Sequence, residues 1–184
     1  MEKDFDVKKV FQNRLASSMG LDKYQYIMQK VRTTNVADDE NFQKMYNGFY
    51  IVRRNKAWRR VYYDYFESIK GGKPTFTSII TYLYECTGNV EPSFSSKMLA
   101  TILPEKPIWD RYVLQNLDMK LLGTTSEEKI WNAIALYNDI EKWYSDFLKT
   151  QKAKECINIF EDTLPDYKWL SDIKKIDSIL WSIR

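Results

Sequence analysis

Histidine is absent from the chain. Its absence removes the commonest general base, the Ser-His and Cys-His nucleophile systems, and most zinc sites. Only two cysteines occur, Cys86 and Cys156, far apart in sequence. They form no CxxC redox pair and are too few to ligate an iron–sulfur cluster, so they read as buried free thiols in a reducing cytosol. No stretch approaches the ~18 consecutive apolar residues of a membrane span. The opening MEKDFDVKKV has no apolar run of the signal-peptide kind. A soluble, cytoplasmic protein is expected, nucleoid-associated if bacterial. A net charge of only +3 excludes a histone-like electrostatic binder but leaves room for a local basic face.

What is present is apolar and aromatic bulk. Hydrophobic residues make up 44% and aromatics 15% of the 184, far too much for a disordered chain. That length supports one domain with a sizeable core, or two small lobes sharing one. With six tryptophans and thirteen tyrosines, some aromatics are available for stacking on planar ligands as well as for packing.

Periodicity is helical almost throughout. Val7, Val10, Phe11 and Leu15 recur at three-to-four spacing ahead of Gly20, and Tyr24, Ile27, Met28 and Val31 predict a second helix. Asp38 or Asp39 caps a third through Phe42, Met45 and Phe49. Residues 52–70 predict a longer helix stopped by Gly71, Gly72 and Pro74. Thr75 caps the next, which stops near Gly88. A short helix near 110–118 breaks at Gly123, and Thr125 or Ser126 with Glu128 opens a long helical region to about 149. Helices at about 151–162 and 171–183 complete an all-α domain of nine or ten helices, a single unit over 1–184. Strand signals, repeats and linkers are nearly or wholly lacking.

Residues 91–97, EPSFSSK, read as a turn between two apolar helices. Pro92 is poorly placed inside a helix, while Ser93, Ser95 and Ser96 are suited to cap the next one. Backbone N–H groups at such a helix start form a natural anion site, and a DNA phosphate suits it.

Those residues resemble the hairpin of the helix–hairpin–helix DNA glycosylase superfamily, typically Leu-Pro-Gly-Val-Gly-x-Lys. Glu91-Pro92-Ser93-Phe94-Ser95-Ser96-Lys97 matches its proline, central apolar residue and lysine, with serines where the glycines stand. The segment Pro107-Ile108-Trp109-Asp110-Arg111-Tyr112-Val113 is similar to the family's Pro-apolar-apolar-Asp-x-x-Val. Ile176-Asp177-Ser178-Ile179-Leu180-Trp181 is similar to the closing helix of the compact archaeal-type 8-oxoguanine glycosylases. The resemblance implies two helical lobes around a cleft, a hairpin motif at about 76–103, Lys97 as nucleophile and Asp110 as catalytic aspartate. It implies excision of a damaged or modified base from double-stranded DNA by a monomer, with AP lyase activity through a lysine Schiff base. The iron–sulfur branch is excluded by the missing cysteines. Neither metal nor cofactor is required. Both repair and defence against foreign modified DNA are compatible roles.

Two further groups complete the expected site. Arg53, Arg54, Lys56, Arg59 and Arg60 place five cations within eight residues, a candidate phosphate-binding face that carries no base specificity. A flipped base needs a stacking pocket, for which Trp109, Trp181 and Phe49, with Tyr50 and Tyr62, are candidates. The rival reading is a non-catalytic helical module that binds nucleic acid or an acidic protein through the basic helix 52–70.

Overall fold

The computed structural model describes residues 20–182. Within them the regular elements are all helical: α1 (Leu21–Lys30), α2 (Glu40–Tyr50), α3 (Lys56–Ile69), α4 (Phe76–Thr87), α5 (Pro92–Ile102), α6 (Arg111–Asn116), α7 (Ser126–Phe147), α8 (Gln151–Thr163) and α9 (Asp172–Ser182). A 3₁₀ turn, Pro165–Tyr167, lies between α8 and α9. The helix expected around Val7, Val10, Phe11 and Leu15 lies outside the described residues. Among the described residues no helix is long and apolar enough to cross a membrane.

Local chemistry sets most of the helix starts. Asp39 accepts the Phe42 N–H at 2.9 Å, and Thr75 and Ser78 cap each other reciprocally. Thr125 and Glu128 form a second capping box at the start of α7. Gly88 ends α4 at φ +68°, a left-handed turn that favours glycine. The helix expected over 52–70 is shorter than the sequence suggests. Asn55 accepts the Trp58 N–H at 2.9 Å and starts α3 at Lys56, leaving Arg53 and Arg54 in the preceding loop.

The turn expected at 91–97 is a helix instead. The chain reverses between Gly88 and Glu91, and α5 begins at Pro92, whose missing N–H costs nothing in the first helical turn. Ser95 and Ser96 are therefore not caps. Ser95 Oγ donates to Glu91 O at 2.8 Å and Ser96 Oγ to Ser93 O at 2.9 Å, and both residues are fully buried. Small side chains that satisfy their own hydroxyls locally let α5 run through the interior, with Met98, Leu99, Ala100, Thr101 and Ile102 also buried. It packs on α4, which in turn meets α3 and α7. The closing helix α9 packs on α6 and α8, held by Asn116 Nδ2 donating to Leu180 O at 2.9 Å and by a 2.6 Å Lys175–Glu161 pair. Of the two free cysteines Cys156 is buried as expected, but Cys86 is exposed.

Candidate active site

The pocket that matters is about 170 Å³, comparable to cavities that hold one aromatic ring. Leu21, Phe49, Tyr50, Ile51, Ile108 and Trp181 supply its apolar and aromatic lining, and Lys97, Asp110, Lys174, Asp177 and Ser178 its polar groups. Lys97 and Asp110 thus meet on one pocket although thirteen residues separate them.

Lys97 projects from the second turn of α5. Its Nζ donates to Tyr50 O at 3.2 Å and lies 5.1 Å from the Phe94 ring centroid. Burial pushes the ammonium below the usual lysine range. Asp110 and Asp177 oppose that shift and Lys174 adds to it, but loss of water wins.

Asp110 is the N-cap of α6 and accepts the Tyr112 N–H at 2.8 Å. Its approach segment is pinned along its length. Tyr137 Oη donates to Pro107 O at 2.8 Å, and Ile108 and Trp109 are each 5% exposed. The Trp109 N–H donates to Ser96 Oγ at 2.8 Å. Each partner is the chain neighbour of a candidate catalytic residue, so this bond ties the segment of Lys97 to that of Asp110.

The remaining charges come from α9. Lys174 and Asp177 pair at 2.8 Å and are almost wholly buried, at 7% and 5% exposure. Tyr144 Oη donates to Asp177 Oδ1 at 3.3 Å, and Lys174 Nζ sits 4.9 Å from the Tyr24 ring and 5.3 Å from the Phe49 ring. Burial raises the Asp177 carboxyl above its ordinary range against the opposing pull of Lys174, and the Asp110 charge raises it further. Buried charges of this kind are rare and concentrate at functional sites. Sequence reading missed this pair. The visible signal was two charges three residues apart beside the Trp181 motif, but a paired, solvent-facing stripe has the same pattern.

The other expected residues divide. Phe49 and Trp181 line the pocket. Trp109 does not; it stacks on Phe76 at 6.3 Å in the core, and Tyr62 is likewise buried among Tyr46, Trp58 and Phe66. Ser95 and Ser96 are closed to a phosphate, while Ser93 stays half-buried at the start of α5, beside Asp110 and Arg111 in a second, shallower groove. Arg54 belongs to the fold: it pairs with the buried Glu91 at 2.5 Å and lies 5.6 Å from both the Trp58 and Phe94 rings. Burial raises the Glu91 carboxyl, which Arg54 counteracts. Arg60 pairs with Asp64 at 2.8 Å on the surface. Lys56, Arg59 and Arg60 share a groove with Lys44, but Asp38 and Glu40 line it too. Glu67, a second potential partner of the cluster, pairs with Lys70 instead. Arg53 is exposed in the loop after the pocket.

Among the described residues no group of three carboxylates or thiols is placed to hold a metal ion. Comparison with protein-family models, with curated proteins and with solved structures returns no match. The chemistry is therefore argued from the site itself. It offers a half-buried amine, a carboxylate lining the same pocket, a buried ion pair, and three aromatic side chains, Phe49, Tyr50 and Trp181, around a ring-sized space.

Proposed function

We propose that the chain is a DNA N-glycosylase that takes a damaged or modified base into this pocket and uses Lys97 as its nucleophile. The observation that carries the reading is the placement of a half-buried lysine, its pKa lowered by loss of water, and Asp110 around one ring-sized space lined by Phe49 and Trp181. The resemblance of residues 91–113 to helix–hairpin–helix glycosylases points the same way.

The residues supply each requirement of the reaction. Breaking an N-glycosidic bond builds positive charge on the deoxyribose, and the Asp110 carboxylate stabilises it. A lysine amine attacks only when neutral, and burial raises the neutral fraction of Lys97. Its lone pair forms the bond to C1′, and the glycosidic electron pair leaves with the base, which takes up a proton. Opening of the sugar ring gives an imine between Lys97 and C1′. Loss of a C2′ proton then expels the 3′ phosphate and nicks the strand. Phe49 and Trp181 offer faces for the extruded base.

The non-catalytic rival leans on the basic helix. Of the five cations, Arg53 and Arg54 lie in the loop before that helix, and Arg54 and Arg60 are already paired within the fold, which weakens it.

Borohydride trapping on a duplex containing an abasic site tests the enzyme. The imine is reduced to a stable secondary amine, so wild type is expected to cross-link and Lys97→Ala to lose the adduct. Asp110→Asn, which keeps the helix cap, slows base release by roughly 100-fold, the scale of one lost transition-state charge contact. No adduct, together with no base release from a panel of modified duplexes, sinks the catalytic reading.

A further inference from the structure

A nucleophilic amine has two requirements that oppose each other. It must be held where the sugar will stand, yet it must be able to lose its proton. A carboxylate in contact with it would hold the amine but would hold the proton as well. Lys97 is held by other means. Its Nζ donates to Tyr50 O at 3.2 Å and stands 5.1 Å from the centroid of the Phe94 ring. A neutral amine still has N–H groups for the carbonyl and still packs on the ring, so neither partner demands the charge. The ring contact follows from the helix. Phe94 and Lys97 are three residues apart on α5, and helical side chains lean towards the N-terminus, so the lysine stem runs back over the turn bearing Phe94. The ring is itself clamped. Trp58 lies 5.0 Å from it, tilted by 57°, and stacks in turn on Tyr62 at 4.9 Å. Tyr62 Oη donates to Phe94 O at 3.0 Å, which fixes the backbone of the same residue. Arg54 Cζ is 5.6 Å from the Phe94 ring, and its ion pair with Glu91, next to Pro92, keeps it there.

Resting on the glycosylase reading, we infer that Phe94 is a positioning residue: its clamped ring, with Tyr50 O, holds the Lys97 amine at the pocket. A lysine stem is long and flexible, and a site that orders it during folding spares that cost when DNA binds. An aliphatic side chain at position 94 would fill the space but offer the ammonium no aromatic face. The charges that act on Lys97 are Asp110 ahead of α6 and Lys174 and Asp177 on α9, while Arg54 shares the Phe94 ring. None of these is altered when Phe94 alone is replaced, so a change in the Lys97 titration reports the ring. Phe94 takes no part in bond breaking.

Two readouts test the assignment. NMR of protein isotope-labelled at lysine Cε gives the Lys97 titration directly, the resonance being identified by its loss in Lys97→Met. Borohydride trapping on an abasic duplex gives the rate at the high-pH plateau, where the amine is neutral. Phe94→Leu keeps the apolar bulk and is expected to fold. Loss of the cation–π contact lowers its Lys97 midpoint by about half a pH unit. Loosening of the amine lowers its trapping plateau at least ~10-fold. Phe94→Tyr, which keeps the ring, retains the wild-type midpoint and plateau. A plateau that falls without a moved midpoint marks a structural loss only and overturns the inference. A midpoint that moves while the plateau stands overturns it too, as does Phe94→Leu matching wild type in both. If wild type forms no adduct, the glycosylase reading fails separately. The lysine resonance then decides alone: a midpoint lowered in Phe94→Leu but not in Phe94→Tyr supports the ring contact, and an unmoved midpoint overturns it.

Discussion

Ser96 and Trp109 join the two halves of the candidate site: the Trp109 N–H donates to Ser96 Oγ at 2.8 Å in the interior, one residue from Asp110 on one side and from Lys97 on the other. This buried contact between a helix and an extended segment is one of those that bring the lysine and the aspartate to a common pocket. Ser96 therefore acts inside the protein and does not grip a phosphate.

Ser96→Ala removes the acceptor and leaves the Trp109 N–H buried without a partner, at a cost of about 1–3 kcal/mol. For a domain of this size that lowers the melting temperature by roughly 2–4 °C per kcal/mol, which calorimetry reads directly. Lys97 trapping should slow as well, because the approach to Asp110 is loosened. Ser93→Ala, at a half-buried position, is expected to change stability by less than about 0.5 kcal/mol.

The rate of borohydride-trapped adduct formation should rise with pH as Lys97 deprotonates, then level off below the ordinary lysine pKa of about 10.4. Burial is the largest cause of that depression and the Asp110 charge works against it. Asp110→Asn should therefore move the midpoint of the profile to lower pH while lowering its plateau. Stability changes in a linked way. The unfolded chain holds the Lys97 proton more tightly than the folded one, so folding carries a penalty below the folded pKa that fades as pH rises towards the unfolded value. Lys97→Met is expected to be more stable than wild type near neutrality, with the gain shrinking in urea titrations at rising pH.

Asp177→Ala strands the Lys174 ammonium in the interior and should destabilise by about 3–5 kcal/mol. Replacing both members, as Lys174→Met with Asp177→Leu, is expected to cost far less and to fall near wild type in stability. Chemical denaturation of the single and double variants measures the contrast. Because burial raises the Asp177 carboxyl, wild type should lose stability as pH climbs from the unfolded aspartate value of about 3.9 through the folded one. The double variant lacks that loss.

Arg54 and Arg59, expected to act together on DNA, should separate under mutation. Arg54→Ala leaves Glu91 buried without its guanidinium and costs about 1–3 kcal/mol of stability. Arg59→Ala should leave stability within about 0.5 kcal/mol. If Arg59 meets a phosphate, its removal lowers the salt dependence of duplex binding by about one charge, measured as the slope of log affinity against log salt.

The helical class and most helix limits were legible because they rest on neighbours three or four residues apart. Asp39, Thr75 and the Thr125–Glu128 box cap their helices as their spacing indicates. The serines of α5 misled for the same local reason. A serine that starts a helix and one that lies within a buried helix, bonded to the carbonyl of its own preceding turn, look alike in a string of letters. Trp109 and Trp181 show the limit for aromatics: both follow suitable motifs, but one faces the Phe76 stack and the other the pocket.

The sequence by itself determined an all-helical chain without histidine, and it pointed to Lys97 and Asp110 as residues worth bringing together. Tertiary structure decided that they share a pocket and that Lys174 and Asp177 join them. It also decided that Arg54 closes on Glu91, and that Ile51 stands exposed at the rim. The division has a physical basis. Caps and helical periods are local interactions, whereas removal of water from a charge depends on which distant segments pack against it.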